Sequence, residues 1–216
     1  MSYTGFEPTS TSYADYHYTS MQSKDATVQS STRLSAVSLG WFSFATTTLI
    51  FSLYNSGTQG VVHDDTVVSL CLAAGGLAQL LAGMWEYSSE NTFMATVLSL
   101  YGSYRLSYGA MLLPQSGILS HSDDPEVSSA LGIYFIAWTV ITVGFLLVSI
   151  GRNTPSSIFF GILSMTLLVL TVSELGGGSG AKKTGGALGF LASVAAYYIA
   201  FADFLRTDQS HNFRLA

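Results

Sequence analysis

Tyr101, Arg105, Tyr108 and Leu112 recur at helical spacing, so one face of an apolar stretch carries a guanidinium between two phenol rings. A guanidinium can clasp a carboxylate through two parallel hydrogen bonds. Near the centre of a membrane-spanning helix an arginine costs about 2.5–3.5 kcal/mol. Such a residue keeps a role or a partner. Two readings stay open: an anion site, or a structural arginine that reaches for the membrane edge or a neighbouring helix. Phe44 and Thr48 also share a face, with Thr47 beside them. A ring next to hydroxyls suits a small solute with a methyl at one end and a carboxylate at the other. The alternative is that the threonines bond backbone carbonyls one turn back.

Other groups promise less. Glu86, Glu174 and Asp203 fall at the ends of apolar stretches, where a charge can be solvated or paired. His63 and His121 fall in connections; histidine titrates near neutral pH. Cys71 is the one cysteine, so no internal disulfide and no Cys/His metal set is expected. It reads as a small apolar residue. No nucleophile–base set or metal-ligand cluster has useful spacing, and Gly176–Gly180 does not follow a strand, so it is no phosphate loop. The expectation is a protein that is not an enzyme and needs no cofactor.

The elements that position these residues are set by solvent. Of 216 residues, 49% are apolar and only 10% are charged, against about 25% charged in soluble domains. The net charge of -5 and eight scattered basic residues argue against nucleic acid as a partner. A spanning helix needs about 20 mostly apolar residues. Six stretches qualify: Leu34–Tyr54, Thr66–Trp85, Thr92–Leu113, Ser128–Ile150, Pro155–Ser173 and Thr184–Ala202. Only the third holds a charge, Arg105. Open strands would leave backbone groups unpaired in hydrocarbon, and the runs are too long for barrel strands. The sequence predicts an all-α, polytopic membrane protein with a six-helix bundle.

Residues 1–33 are polar and rich in hydroxyls, with no secretory signal peptide; they are expected to be a disordered cytoplasmic tail, solvated or phosphorylated. The membrane domain is expected over 34–206, with a short cytoplasmic tail over 207–216. The connections are short, and Glu174–Lys183 reads as a glycine-rich hairpin. Lys24, Arg33, Arg152, Arg206 and Arg214 fall on the side of the termini, and only Lys182 and Lys183 fall opposite, so both ends are expected inside. The outer side then holds Asp64, Asp65, Asp123, Asp124 and Glu126, which could raise the local proton concentration.

Small residues line up for packing. Ala74, Ala78 and Ala82 share a face, with Gly75, Gln79 and Gly83 beside it; Gly185, Gly189 and Ser193 repeat the spacing. Such rows let helix backbones approach closely. They predict a tight bundle and an oligomer.

The run Gly75-Gly76-Leu77-Ala78-Gln79-Leu80-Leu81-Ala82-Gly83-Met84-Trp85-Glu86, then Asn91-Thr92-Phe93 and Tyr101-Gly102-Ser103, resembles the acetate uptake transporter family. That family takes in bacterial succinate–acetate permeases and fungal acetate and ammonia transport proteins. The likeness continues through Leu131-Gly132-Ile133-Tyr134 and Ala137-Trp138 and covers about residues 35–206. Two features depart from the family pattern. Ser35-Ala36-Val37-Ser38-Leu39-Gly40 stands where Asn-Pro-Ala-Pro-Leu-Gly is usual, and Arg105 stands where tryptophan is usual. The resemblance implies a homo-hexamer in which each six-helix subunit has its own pore. It places the pore constriction at Phe44, Tyr101 and Leu163. Thr47, Thr48, Arg105 and Tyr108 would line the pore, and Gln79, Glu86 and Asn91 are motif residues of open role. The implied function is a permease or channel for small monocarboxylates, acetate first; the plasma membrane is the default location, and the cost of dehydrating a carboxylate makes protons a candidate co-substrate. The alternatives are an ammonia or ammonium exporter, or a non-transporting membrane sensor.

Overall fold

The computed structural model describes residues 35–60, 65–118 and 124–212. The expected N-terminal tail and both loop histidines, His63 and His121, lie outside the described residues, as do residues 213–216. Six helical rods follow one another, with no strand among the described residues. We label them α1 Val37–Asn55, α2 (Asp65–Leu72, Ala73–Ala78 and Gln79–Ser88), α3 Thr92–Leu112, α4 Pro125–Ser149, α5 Thr154–Val172 and α6 Gly178–Asn212. Short 3-10 turns follow α1 at Thr58–Gly60 and α3 at Pro114–Ser116.

Local chemistry starts the rods. Asn91, Asp124 and Asn153 each cap a helix, their side chains accepting from the backbone N–H of Met94, Glu126 and Ser156. Pro125 and Pro155 occupy first-turn positions that need no N–H donor.

Four stretches are long and apolar enough to cross a membrane: Val37–Asn55, Thr66–Ser88, Pro125–Ser149 and the 54-residue run Thr154–Thr207. The last holds two rods, α5 and α6. It breaks at a π-type turn, Ser173–Gly177, where Gly176 has φ 115° and Gly178 has φ 66°. Only glycine adopts such values without strain. The connection expected over residues 174–183 is therefore tighter: α6 already begins at Gly178, and Lys182 and Lys183 sit in its first turns. At its other end α6 runs on to Asn212, past the expected boundary at 206. α2 is also not one regular helix. Ala73–Ala78 forms a π-turn, and a Cβ at Gly76 would strike the carbonyl oxygen of Cys71 five residues back.

α1 packs most extensively on α6, α2 on α3, and α5 on both α4 and α6. The glycine rows make these contacts. A Cβ at Gly75 would sit 2.5 Å from the Thr47 hydroxyl of α1, and one at Gly102 would sit 2.6 Å from the Leu80 backbone nitrogen of α2. Gly185 meets Leu170 of α5, and Gly189 meets Ser52 of α1. Both predicted rows are thus used within one chain, and they say nothing about an oligomer. A large aromatic cluster fills the middle, from Trp41 and Phe44 through Tyr101 and Tyr104 to Phe135, Phe159 and Phe160.

Candidate functional site

α1, α3 and α5 bring Phe44, Tyr101 and Leu163 to the wall of one chamber, joined there by Thr48, Asn55 and Arg105. The Phe44 and Tyr101 rings meet edge to face with centroids 5.4 Å apart. Phe159, one helical turn before Leu163, closes on Phe44 at 5.2 Å. The Tyr101 hydroxyl lies 2.8 Å from Thr142 Oγ1 of α4. Thr142 donates its own proton to the Trp138 carbonyl, so Tyr101 is the donor and its ring is held from both sides. The chamber is narrow, about 20 Å³, room for roughly one water molecule.

Below the rings lies a second cavity of about 420 Å³. Trp41, Phe93 and Met94 form part of its wall, together with Ser35, Arg152, Asn153, Asp203 and Arg206. The start of α1, the α4–α5 turn and the late part of α6 therefore meet at one end of the bundle. The two cavities share no lining residue. Trp41 packs edge-on against Phe44 at 6.3 Å and Phe159 at 4.7 Å between them. Phe44, Phe159 and Phe160 are fully buried. The geometry is an apolar plug between a narrow chamber and a wide vestibule whose wall mixes apolar with charged residues.

Arg105 does not reach for the membrane edge. It is 4% exposed. One terminal N–H donates to Thr48 Oγ1 at 2.7 Å. The rings of Phe44, Phe51 and Tyr104 lie 5.3 to 5.7 Å from the guanidinium carbon. Its Nε is buried and has no hydrogen-bond partner among the described residues. Two predicted lining residues are not on the chamber wall. Thr47 faces Gly75 of α2 and donates to the Ser43 carbonyl at 2.9 Å, the one-turn-back bond that competes with a pore role. Tyr108 packs behind Arg105, edge to face with Phe51 at 5.4 Å and against Tyr134 of α4.

The motif residues divide. Glu86 is 1% exposed and binds the start of α1. It accepts from the Ala36 backbone N–H at 2.6 Å, the Ser35 hydroxyl at 3.1 Å and the Asn91 side-chain amide at 3.3 Å. No side chain of α1 itself caps that helix. Glu86 thus supplies the negative charge that an N-terminus favours, and it ties α1 to the α2–α3 corner. Hydrogen bonds to charged groups contribute about 1.5–3 kcal/mol each. Glu86→Ala should lower the thermal unfolding midpoint by several degrees, and Glu86→Gln, which keeps an acceptor, by clearly less; equal midpoints for wild type and Glu86→Ala would contradict the capping role. Gln79 is fully buried on the glycine row, and neither amide atom has a partner among the described residues. Glu174 lies in the α5–α6 turn, and Asp203 stands on the vestibule wall.

Comparison with known proteins decides the family: residues 18–215 match GPR1/FUN34/yaaH. The chain belongs to the GPR1/FUN34/yaaH family. Ammonia transport outward protein 2 of Saccharomyces cerevisiae is 35% identical over 80% of this chain and 62% of its own length. Acetate permease A of Emericella nidulans is 32% identical over 81% of this chain and 62% of its own length. The chain thus spans less than two thirds of these curated relatives. Among solved structures, the bacterial acetate channel SatP superposes with a TM-score of 0.73 and 27% identity, covering 81% of this chain and 94% of that one. This GPR1/FUN34/yaaH chain is an all-α integral membrane protein with the fold of that channel.

Sequence reasoning missed several residues that build the plug and the vestibule. Phe159 was legible in principle, because it shares a face with Leu163 at i, i+4. Thr142 was legible as a hydroxyl in an otherwise apolar run. Trp41 and the placing of Arg152 and Arg206 on the wall of one cavity had no sequence signal, since the fold brings them there.

Proposed function

We propose that this protein is a permease or channel for small monocarboxylates, acetate first, with the path running through the middle of its own helix bundle. All six rods cross the membrane in this reading, both ends face the cytoplasm, and six copies assemble in the plasma membrane. The observation that carries the reading is the apolar plug of Phe44, Tyr101 and Phe159 between two cavities of one chain. The names of the acetate permease and the acetate channel among its relatives support the substrate. Passing rings strips water from the solute. An ionised carboxylate loses far more than a neutral acid does when that happens. Carboxylic acids have pKa values of about 4–5, so acid outside raises the form that passes most easily.

Labelled acetate uptake into proteoliposomes tests this, with lipid-only vesicles as the background. At equal total acetate, lowering the outside pH from about 7.5 to about 5.5 raises the neutral fraction close to 100-fold. Protein-dependent, competitor-blocked uptake should rise at least ~10-fold over that range. Uptake no faster than in lipid-only vesicles at either pH, from folded protein, would end this reading. The similarity to an ammonia transport outward protein favours ammonia as the second reading. It predicts methylammonium or ammonia flux in the same vesicles without acetate flux.

A further inference from the structure

We infer that Arg105 makes the chamber above the plug a binding site for the anion of a one- or two-carbon monocarboxylate. The inference deepens the proposed transport reading and rests on it only for the anion's role as cargo. A fixed cation in a low-dielectric interior requires compensation. Arg105 has one neutral hydrogen-bond acceptor, Thr48, and no carboxylate in ion-pair contact among the described residues. Three ring faces supply part of the compensation. They leave the Nε–H without an acceptor among the described residues, although it lies on the guanidinium edge that makes two-point contacts with carboxylates.

The surroundings set the ligand class. Arg105 lines the chamber together with Phe44, Thr48 and Asn55. A carboxylate on the arginine fork would place a methyl towards Phe44, and the Thr48 hydroxyl keeps its own proton for a carboxylate oxygen. The chamber is about 20 Å³ as it stands. Even acetate must widen it, and a four-carbon dicarboxylate would bring a second charge against Leu163 and Leu167. The same fixed charge repels ammonium. Arg105 is therefore a specificity-determining residue that favours small carboxylate anions over dicarboxylates and cations.

Binding and flux are measured separately on the purified full chain. Thermal unfolding is followed in detergent near neutral pH with sodium formate, acetate, succinate or gluconate at equal ionic strength. Formate and acetate should raise the midpoint saturably in the wild type, and succinate and gluconate should not. Arg105→Gln should weaken the acetate effect by ~10-fold or more, the loss expected when charge-assisted bonds go. Arg105→Lys keeps the charge without the fork and should fall between. The inference is overturned if the wild type shows no saturable effect of acetate over gluconate. It is equally overturned if folded Arg105→Gln, or Arg105→Lys where Gln does not fold, binds acetate as the wild type does; Arg105 is then only caged by its rings. A saturable acetate effect without acetate flux in vesicles would leave the site standing and remove the transport reading. Flux without the saturable effect would do the reverse.

Discussion

Gly102→Val is expected to abolish the folded protein in detergent, and Gly102→Ala to lower its unfolding midpoint markedly. The reason is geometric. A Cβ at Gly102 would lie 2.6 Å from the Leu80 backbone nitrogen and 2.8 Å from its Cα. Backbone cannot swing aside as the tip of a side chain can, so α2 and α3 must separate. Lipid offers no hydrophobic gain to hold helices together, and their association relies on close packing. Overpacking costs about 1–3 kcal/mol in ordinary cores, sometimes more. Here the damage would spread, because Gly102 lies beside Tyr101 and one turn from Arg105 on α3. Gly144 on α4 is the control, since a Cβ there meets nothing within 4 Å. Size-exclusion profiles and unfolding midpoints of the three variants give the answer. Equal midpoints for Gly102→Ala and Gly144→Ala would mean that the α2–α3 contact does not hold the bundle.

The rods were legible because hydrocarbon imposes one strong rule, a run of apolar residues long enough to span it. Among the described residues, five of the predicted stretches overlap a helix with ends shifted by at most three residues, while the sixth, Thr184–Ala202, lies inside the longer α6 from Gly178 to Asn212. Which face of a rod turns inward was much less legible. In a soluble helix polarity marks the outer face, but here both faces are apolar. α4 exposes Ile133, Val140 and Leu147 and buries Thr139 and Thr142. Thr47 and Thr48 show the consequence: adjacent hydroxyls on α1, one turned to the glycine row of α2 and the other to Arg105. Phe44, Tyr101 and Leu163 were placed by resemblance, and they share a chamber wall. The π-turns of α2 and before α6 left only glycine runs as a trace, Gly75-Gly76 and Gly176-Gly177-Gly178. Glu86 looked like an end charge, and its role as the cap of α1 needed the fold that brings Ala36 to it.

Tyr101→Ala should speed protein-dependent acetate uptake several-fold and erase discrimination by solute size. Tyr101 forms one side of the plug, edge-on to Phe44 at 5.4 Å and tilted against Phe145 at 6.0 Å. Removing the ring joins the chamber to the space beneath it, and a solute passes with more of its water. The acid dependence of uptake should shrink with it, because an anion that keeps its water crosses more readily. Truncating a buried aromatic costs about 3–5 kcal/mol in soluble cores, so the variant must first be shown to elute and unfold as an assembled protein. Tyr101→Phe separates the ring from the hydroxyl. It loses the bond to Thr142, worth about 0.5–1.5 kcal/mol, and keeps the barrier. Its uptake and its size preference should stay near wild type. Initial rates for formate, acetate and a four-carbon acid, at acidic and neutral outside pH, distinguish the cases. A folded Tyr101→Ala protein with wild-type rates and wild-type selectivity would show that solute does not pass between Phe44 and Tyr101, and the path would then have to be sought elsewhere in the assembly.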